Sequence, residues 1–254
     1  LPASKSMYYY DLKEWARYFP PHLRLDHRFG DVIEVPPTPS VVKSRPIAGD
    51  NRNSVLMKMD KFRHFYMPPD PVPFHEKRPM AVWRGGGHNA KRQALLARYR
   101  GHPLCDVGQT EGRGPQPPAS FLTPTEQMRY RFVISVEGID VATNLKWILA
   151  SNSLCLMPRP VYETWFMEGT LQAGTHYVAL RDDFTDLEER IVHYRDHEDE
   201  ALEIIRNANA FAAQFRDQRL ERLLGILVLY RYFAATGQLD PQAVATLIPS
   251  TEAR

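Results

Sequence analysis

The residues best suited to chemistry in this sequence stand beside glycine turns. Residues 80–83 read as a short strand, Gly85, Gly86 and Gly87 as a tight turn, and Asn89 as the cap of a helix that Gly101 stops. Glycines let a backbone come close to a ligand. A helix start adds free N–H groups and a positive dipole end, which suits a phosphate. Arg84, at the end of the strand, could fork two hydrogen bonds onto such a group. The motif lacks the Gly-Lys-Ser/Thr of a Walker loop and the G-x-G-x-x-G of a dinucleotide fold, so a plain turn with a surface arginine explains it equally well.

A second turn follows the apolar run 132–136. Glu137 and Gly138 precede Asp140, Val141, Ala142, Thr143, Asn144 and Lys146, again a strand, a glycine turn and a helix start. Taken alone, Asp140 and Thr143 could simply open a helix. Yet two glycine turns at the carboxyl ends of two strands in one sheet are where open α/β folds receive ligands. Residues 160–168 form a polar and aromatic loop in which Glu163 could accept ribose hydroxyls, or which could be a packed turn. Lys43, Ser44 and Arg45, with Arg52 and Asn53 nearby, could meet an anionic or sugar ligand, or form a solvated loop.

Other chemistries lack support. No D-x-D and no G-x-S-x-G occurs. His193 and His197 stand one helical turn apart, but the charged residues around them mark a solvated helix face rather than a metal site. Cys105 and Cys155 form no metal spacing, and both flank apolar residues, so buried free thiols in a reducing compartment are expected.

The elements that must position these groups are set off by 21 prolines. A short helix is expected over 11–18 and strands over 31–35 and 54–59, with a proline-rich linker at 67–79. Beyond it, strands at 80–83, 132–136, 153–157 and 176–180 alternate with helices at 89–100 and 140–150, which predicts a parallel α/β sheet. Thr185 and Glu188 fit a capping box opening a helix to 194. Helices follow at 198–215 and 219–235. In the last, Leu220, Leu223, Leu224, Leu227 and Tyr230 recur at helical spacing, so that face is expected to be buried, and Gly237 ends it.

With 254 residues and 43% hydrophobic side chains, the chain can bury a real core. No stretch reaches the roughly 18 apolar residues of a membrane span, and residues 1–10 lack the pattern of a signal peptide. A net charge of +2 with no basic run excludes a dedicated nucleic-acid binder. The chain does not begin with Met, so an N-terminal portion is expected to be missing.

Taken jointly and in order, several segments resemble glycosyltransferase family 90, which includes LpsA-type lipopolysaccharide core glycosyltransferases, CAP10 capsule proteins and Rumi-type protein O-glucosyltransferases. They are V-K-S-R-P-I (42–47), N-S-V-L-M-K-M-D-K-F-R-H-F (53–65), V-W-R-G (82–85), E-G-I-D-V-A-T-N-L-K-W (137–147), S-N-S-L (151–154), Y-E-T-W-F-M-E-G (162–169), H-Y-V (176–178) and T-G-Q (236–238).

The resemblance implies a GT-B-like α/β fold of two Rossmann-like domains facing across a cleft. Residues 1–75 would form a short or truncated acceptor-side domain and 76–217 the donor domain. Residues 218–254 would be a C-terminal helix and tail packing back on the first domain. It also implies inverting transfer from a UDP-sugar, with no metal or other cofactor. Arg84 would meet the donor diphosphate, with Gly85, Gly86, Gly138, Asp140 and Glu163 around the donor. Glu137 and Asn144 stand where Rumi-type members carry arginines, so Lys146 or the N–H groups of Val141, Ala142 and Thr143 would take that charge. Asp31 would be the base, and Lys43, Ser44, Arg45 and Asn53 would face a glycan or glycolipid acceptor. The implied setting is the cytoplasm, with peripheral contact at the inner membrane. Two alternatives stand beside this reading: an inactive nucleotide- or sugar-binding homologue, and another phosphate-handling enzyme such as a sugar kinase.

Overall fold

The computed structural model describes residues 6–110 and 117–240. At its centre are five parallel strands: β5 (Arg78–Gly85), β6 (Cys105–Gln109), β7 (Tyr130–Ile134), β8 (Leu154–Pro158) and β10 (Val178–Leu180). β7, β8 and β10 read as nearly continuous apolar runs because both faces of the sheet are covered. Trp83, Phe132, Ile134, Leu154 and Leu156 point to one face, where they meet Leu95 and Leu96 of α3 (Ala90–Tyr99) and Ile191 of α6 (Leu187–Asp196). Val82, Val133, Cys155 and Met157 point to the other. There they meet Leu145 and Ile148 of α5 (Leu145–Leu149) and Ala208 and Ala212 of α7 (Glu198–Ala213).

The sheet order is β10-β8-β7-β5-β6. The chain starts in β5, steps to β6 on one side, then crosses to β7 on the other. The border between β5 and β7 is therefore the topological switch point of an open α/β sheet, the place where such folds hold ligands.

The first segment builds a second parallel sheet from β1 (His27–Arg28), β2 (Ser40–Val42) and β4 (Ser54–Leu56). Directly after β2, β3 (Ser44–Pro46) leaves that sheet and pairs antiparallel with β9 (Tyr162–Thr164). Lys43 is the residue between the two pairings. Leu12 and Trp15 of α1 (Met7–Ala16) pack with Val41, Met57, Trp165 and Leu229, Tyr232 and Phe233 of α8 (Gln218–Ala235) in a third cluster. The short helices α2 (Lys61–His64) and α4 (Pro124–Gln127) complete the framework.

Several expected elements form nearly where the sequence placed them. Asn89 caps α3 by accepting the Arg92 N–H. Gly237, at φ +71°, follows the end of α8. Both cysteines are free and buried. Burial pushes the Cys105 thiol up to about 12 and the Cys155 thiol higher still.

Other expectations are corrected. Residues 31–35 form no strand; the pairing edge in this region is His27–Arg28. The first helix starts at Met7, and β2, β3, β6 and β9 were not foreseen. The helix expected over 140–150 is only Leu145–Leu149, because the preceding loop is held by side chains of its own and of the first segment. Thr185 does not cap α6. Phe184 turns left-handed at φ +59°, Thr185 bonds to Asp183, and Asp186 becomes the cap residue while accepting the Arg181 N–H. A full capping box joins Thr123 and Glu126 instead.

The face of α8 is also corrected. Glu221, Gly225, Leu229, Tyr232 and Phe233 are buried, whereas Leu220, Leu223 and Leu224 are exposed. The helix carries apolar residues on two opposite faces, and contacts decide between them. Glu221 Oε2 accepts the Trp165 indole N–H (2.8 Å) and an ammonium hydrogen of Lys58 (2.6 Å), and Gly225 lets the Trp15 ring lie against the helix. The tail beyond residue 240 lies outside the described residues. Among the described residues no helix is long and apolar enough to cross a membrane.

A Cβ on Gly225 would fall 2.2 Å from Trp15 Nε1. Gly225→Ala should therefore lower stability by about 1–3 kcal/mol, the usual cost of overpacking, read from urea denaturation; an unchanged midpoint would contradict the α1–α8 packing.

Candidate functional site

Lys43 lies where one strand ends and another begins, and its side chain is 1% exposed. A buried ammonium must be paired. Its Nζ bonds Asp31 Oδ1 and stands 2.6 Å from Asp140 Oδ2. Asp140 comes from the loop after β7, so Lys43 joins the first segment to the second glycine turn. Ser44 Oγ adds contacts of 2.6 Å to Asp140 Oδ2 and 2.8 Å to the Val32 carbonyl.

Asp31 has further partners. Arg63 of α2 donates to it at 2.8 Å and the Tyr8 hydroxyl at 3.3 Å. Burial would raise the Asp31 pKa, but Lys43 and Arg63 outweigh it and hold the carboxyl below its ordinary value. The carboxylate is thus ionised. Burial, with Asp31 as the next cause, pushes the Tyr8 phenol upward.

His64 closes the back of this cluster, its Nε2 3.4 Å from Lys43 Nζ. Burial first, then the cations Lys146, Lys43 and Arg63, drive its pKa far below the ordinary value. The imidazole is neutral. With Lys43 donating to Nε2, the proton resides on Nδ1, which is buried without a hydrogen-bond partner in the structure.

A second group stands at the border of β5 and β7. Asn89 Nδ2 donates to the carbonyls of Glu137 and Gly138, each at 2.9 Å. Arg92 donates to Gly86 O at 3.1 Å and to Val136 O at 2.9 Å. Two side chains of α3 thereby stitch the two glycine turns together. A Cβ at Gly138 would lie 3.1 Å from the Arg92 guanidinium. Glu137 Oε1 accepts the N–H groups of Val161 and Tyr162 at 3.0 and 3.1 Å. Burial nonetheless raises the Glu137 pKa above its ordinary value. Beside it, Lys91, Ser135, Val141, Ala142 and Tyr162 line a crevice.

The remaining candidates have other neighbours. Arg84 lies on the opposite border, between β5 and β6. Its guanidinium donates to Asp106 Oδ1 (2.6 Å), Asp106 O (2.8 Å) and Ser120 O (2.9 Å). Arg45 and Glu163, expected on different sides of the site, are cross-strand partners and bond each other at 2.8–2.9 Å. Asn144 is tied to Ile134 O and Ser135 Oγ at the end of β7. Lys146 is fully buried, and its ammonium meets Glu168 Oε1 at 2.6 Å. Asn53 holds the carbonyls of Pro36 and Pro37. Thr143 is half-buried in the loop before α5. Gly85 packs on the Trp83 ring.

The structure thus unites Asp31, Lys43, Ser44 and Asp140, and separately Gly86, Glu137 and Gly138. It sets Arg84 and Asn53 apart from both groups. Tyr8, Arg63, His64 and Arg92 carried no expected role. Arg63 and His64 lie in the segment 53–65 that carries the family resemblance, and Arg92 follows the Asn89 cap by one turn. Among the described residues no three His, Cys, Asp or Glu side chains are grouped to hold a metal ion.

The chain has known relatives. A family model described as Glycosyl transferase family 90 matches residues 60–221. O-glucosyltransferase LpsA of Dichelobacter nodosus is 50% identical over 239 residues, covering 93% of this chain and 74% of that protein. O-glucosyltransferase rumi of Drosophila pseudoobscura pseudoobscura is 23% identical over 154 residues, covering 56% of this chain and 37% of that protein. Protein O-glucosyltransferase 2 of Danio rerio is 33% identical over 84 residues, covering 33% of this chain and 17% of that protein.

Removing Lys43 would leave Asp31 and Asp140 facing each other without their common cation. Lys43→Met should destabilise the fold by about 3–5 kcal/mol in chemical denaturation, the usual cost of breaking a buried ion pair. A loss under about 1 kcal/mol would mean that the network carries no structural weight.

Proposed function

The chain belongs to glycosyltransferase family 90, and on that premise we propose that it transfers a hexose or pentose, with inversion, from a UDP-sugar to a lipopolysaccharide-core or other surface-glycan acceptor. The observation that carries the reading is the pairing of Asp31 and Asp140 through Lys43. It puts an ionised carboxylate of the first segment one ammonium away from the loop that borders the switch point. The two parallel sheets are read as the acceptor and donor sides of a GT-B-like cleft. The setting we assign is cytoplasmic, with peripheral contact at the inner membrane and no bound metal.

In this mechanism an acceptor hydroxyl attacks the anomeric carbon. Its proton passes to Asp31, the bond from that carbon to the donor oxygen breaks, and UDP departs with the electron pair. The N–H groups of the glycine turns and nearby guanidinium groups stabilise the departing diphosphate. Lys43 and Arg63 keep Asp31 in the form that can accept a proton but reduce its proton affinity. Arg63 is 43% exposed at its side chain. It can leave Asp31 for an anionic group of the acceptor, which restores basicity as the acceptor arrives.

A second reading, an inactive nucleotide- or sugar-binding homologue, is favoured by three side chains. Glu137 and Asn144 carry no positive charge, and Lys146 is paired with Glu168, so none offers an unpaired cation to a diphosphate.

Calorimetric titration in the presence of EDTA should show binding of UDP and not of ATP, and turnover of UDP-sugars should separate the two readings. Arg84→Ala should weaken UDP binding by about 1.5–3 kcal/mol, as for a charged hydrogen bond. Unchanged affinity in Arg84→Ala, with a loss in Arg92→Ala, would move the diphosphate contact to the β5–β7 border.

Asp31→Asn should keep donor binding and lose transfer. The acid limb of kcat/KM in the unmodified chain should lie below about pH 4, since the Asp31 pKa is lowered from the ordinary carboxylate value. Arg63→Gln removes one of the two cations, so that limb should move to higher pH. A profile that does not move would refute Asp31 as the base.

A further inference from the structure

We infer that the first turns of α8 are a membrane-docking surface for anionic lipid. The outward face of this helix presents Leu220, Leu223 and Leu224, which are 45%, 53% and 39% exposed. Met167 lies beside them, 37% exposed. Leu56, Trp165, Met167, Leu224 and Val228 line an open groove that continues this patch. The buried face of the same helix is already occupied by α1 and β2, so the outward leucines do not serve this core. Large apolar side chains gathered on one exposed surface mark a contact with something else.

Charge identifies the occupant. Arg219 and Arg222 are exposed on the turns that carry these leucines and Arg216 just before them, and none of the three forms an ion pair among the described residues. Arg219 and Arg222 stand in the first turns of the helix and Arg216 just before it, near the positive end of its dipole, where cations are unfavourable and an additional anion is favoured. Unpaired arginines beside an exposed leucine stripe fit an interfacial helix, with leucines at the acyl boundary and guanidinium groups among phosphate headgroups. The carboxylates near this turn are engaged elsewhere, Glu14 with Lys61. Glu221 is buried against Lys58 and Trp165, and Asp217 caps the helix through the N–H groups of Arg219 and Leu220.

The inference deepens the proposal of peripheral contact at the inner membrane, but its test uses neither donor nor acceptor. Flotation of the full chain with vesicles of equal parts phosphatidylcholine and phosphatidylglycerol should show binding that falls with added salt. Pure phosphatidylcholine vesicles should bind far less. Arg219→Glu with Arg222→Glu should reduce binding by more than about tenfold. Leu220→Ser with Leu223→Ser should reduce it while leaving the thermal midpoint in place, because both leucines are exposed. No binding to the anionic vesicles, or equal binding by the chain and both double variants, would overturn the proposal. So would sedimentation showing a dimer that Leu220→Ser with Leu223→Ser converts to a monomer, since a second copy would then be the occupant. Failure here leaves UDP binding and transfer untouched, and failure of those leaves vesicle binding to stand or fall by itself.

Discussion

A single buried ammonium constrains the arrangement of this molecule. Lys43 cannot be left unpaired in an apolar interior, where an isolated charge costs several kcal/mol. Its two carboxylates come from distant parts of the chain, Asp31 before it and Asp140 after β7. Satisfying all three requires that the first segment sit against the second glycine turn. The antiparallel pairing of β3 with β9 and the bond between Arg45 and Glu163 fix the same relation a few residues away. Such pairs are poor sources of net stability, because desolvation offsets their attraction. Their consequence here is placement, since alternative registers would strand a charge.

Around that fixed point the glycine turns acquire meaning from topology. The chain reverses direction across the sheet between β5 and β7, and the loops leaving these strands cannot both turn the same way. The gap this leaves is bridged by α3. Asn89 spends one side-chain group as a helix cap and the other on the carbonyls of Glu137 and Gly138, while Arg92 reaches Gly86 and Val136. A helix opening and a phosphate-friendly turn are thus also a brace between two strands. Glycosyltransferase family 90 membership is consistent with chemistry at this border, whose loops lie within the matched residues 60–221. Asp31 and Lys43 precede that span, so the network draws the base proposed in the first segment onto the matched region.

What could be read along the sequence follows from local rules. The α/β class, the cap at Asn89, the burial of the two cysteines and the family resemblance rest on residue spacing and short motifs, and these survive folding because neighbours in sequence remain neighbours in space. β2, β3 and β9 were not legible, because a three-residue run has no period of its own and, unlike β4 and β10, these do not stand in a longer strand-like stretch. Thr185 looked like a cap, but Phe184 adopts a left-handed turn to bury its ring, and that moved the helix start.

Tertiary structure alone decided three matters. It chose the buried face of α8, where two apolar stripes were available and the close approach of Trp15 at Gly225 selected one. It took Arg84 and Lys146 into pairs with Asp106 and Glu168 rather than leaving them as unpaired cations. It gathered Tyr8, Asp31, Lys43, Arg63, His64 and Asp140 into one network. Sequence by itself determined which groups had to be neutralised or covered, since charge and hydrophobicity belong to the residue. It could not determine by whom, because the partners are separated by long stretches of chain and meet only when the sheets, the β3–β9 pairing and α8 close around them.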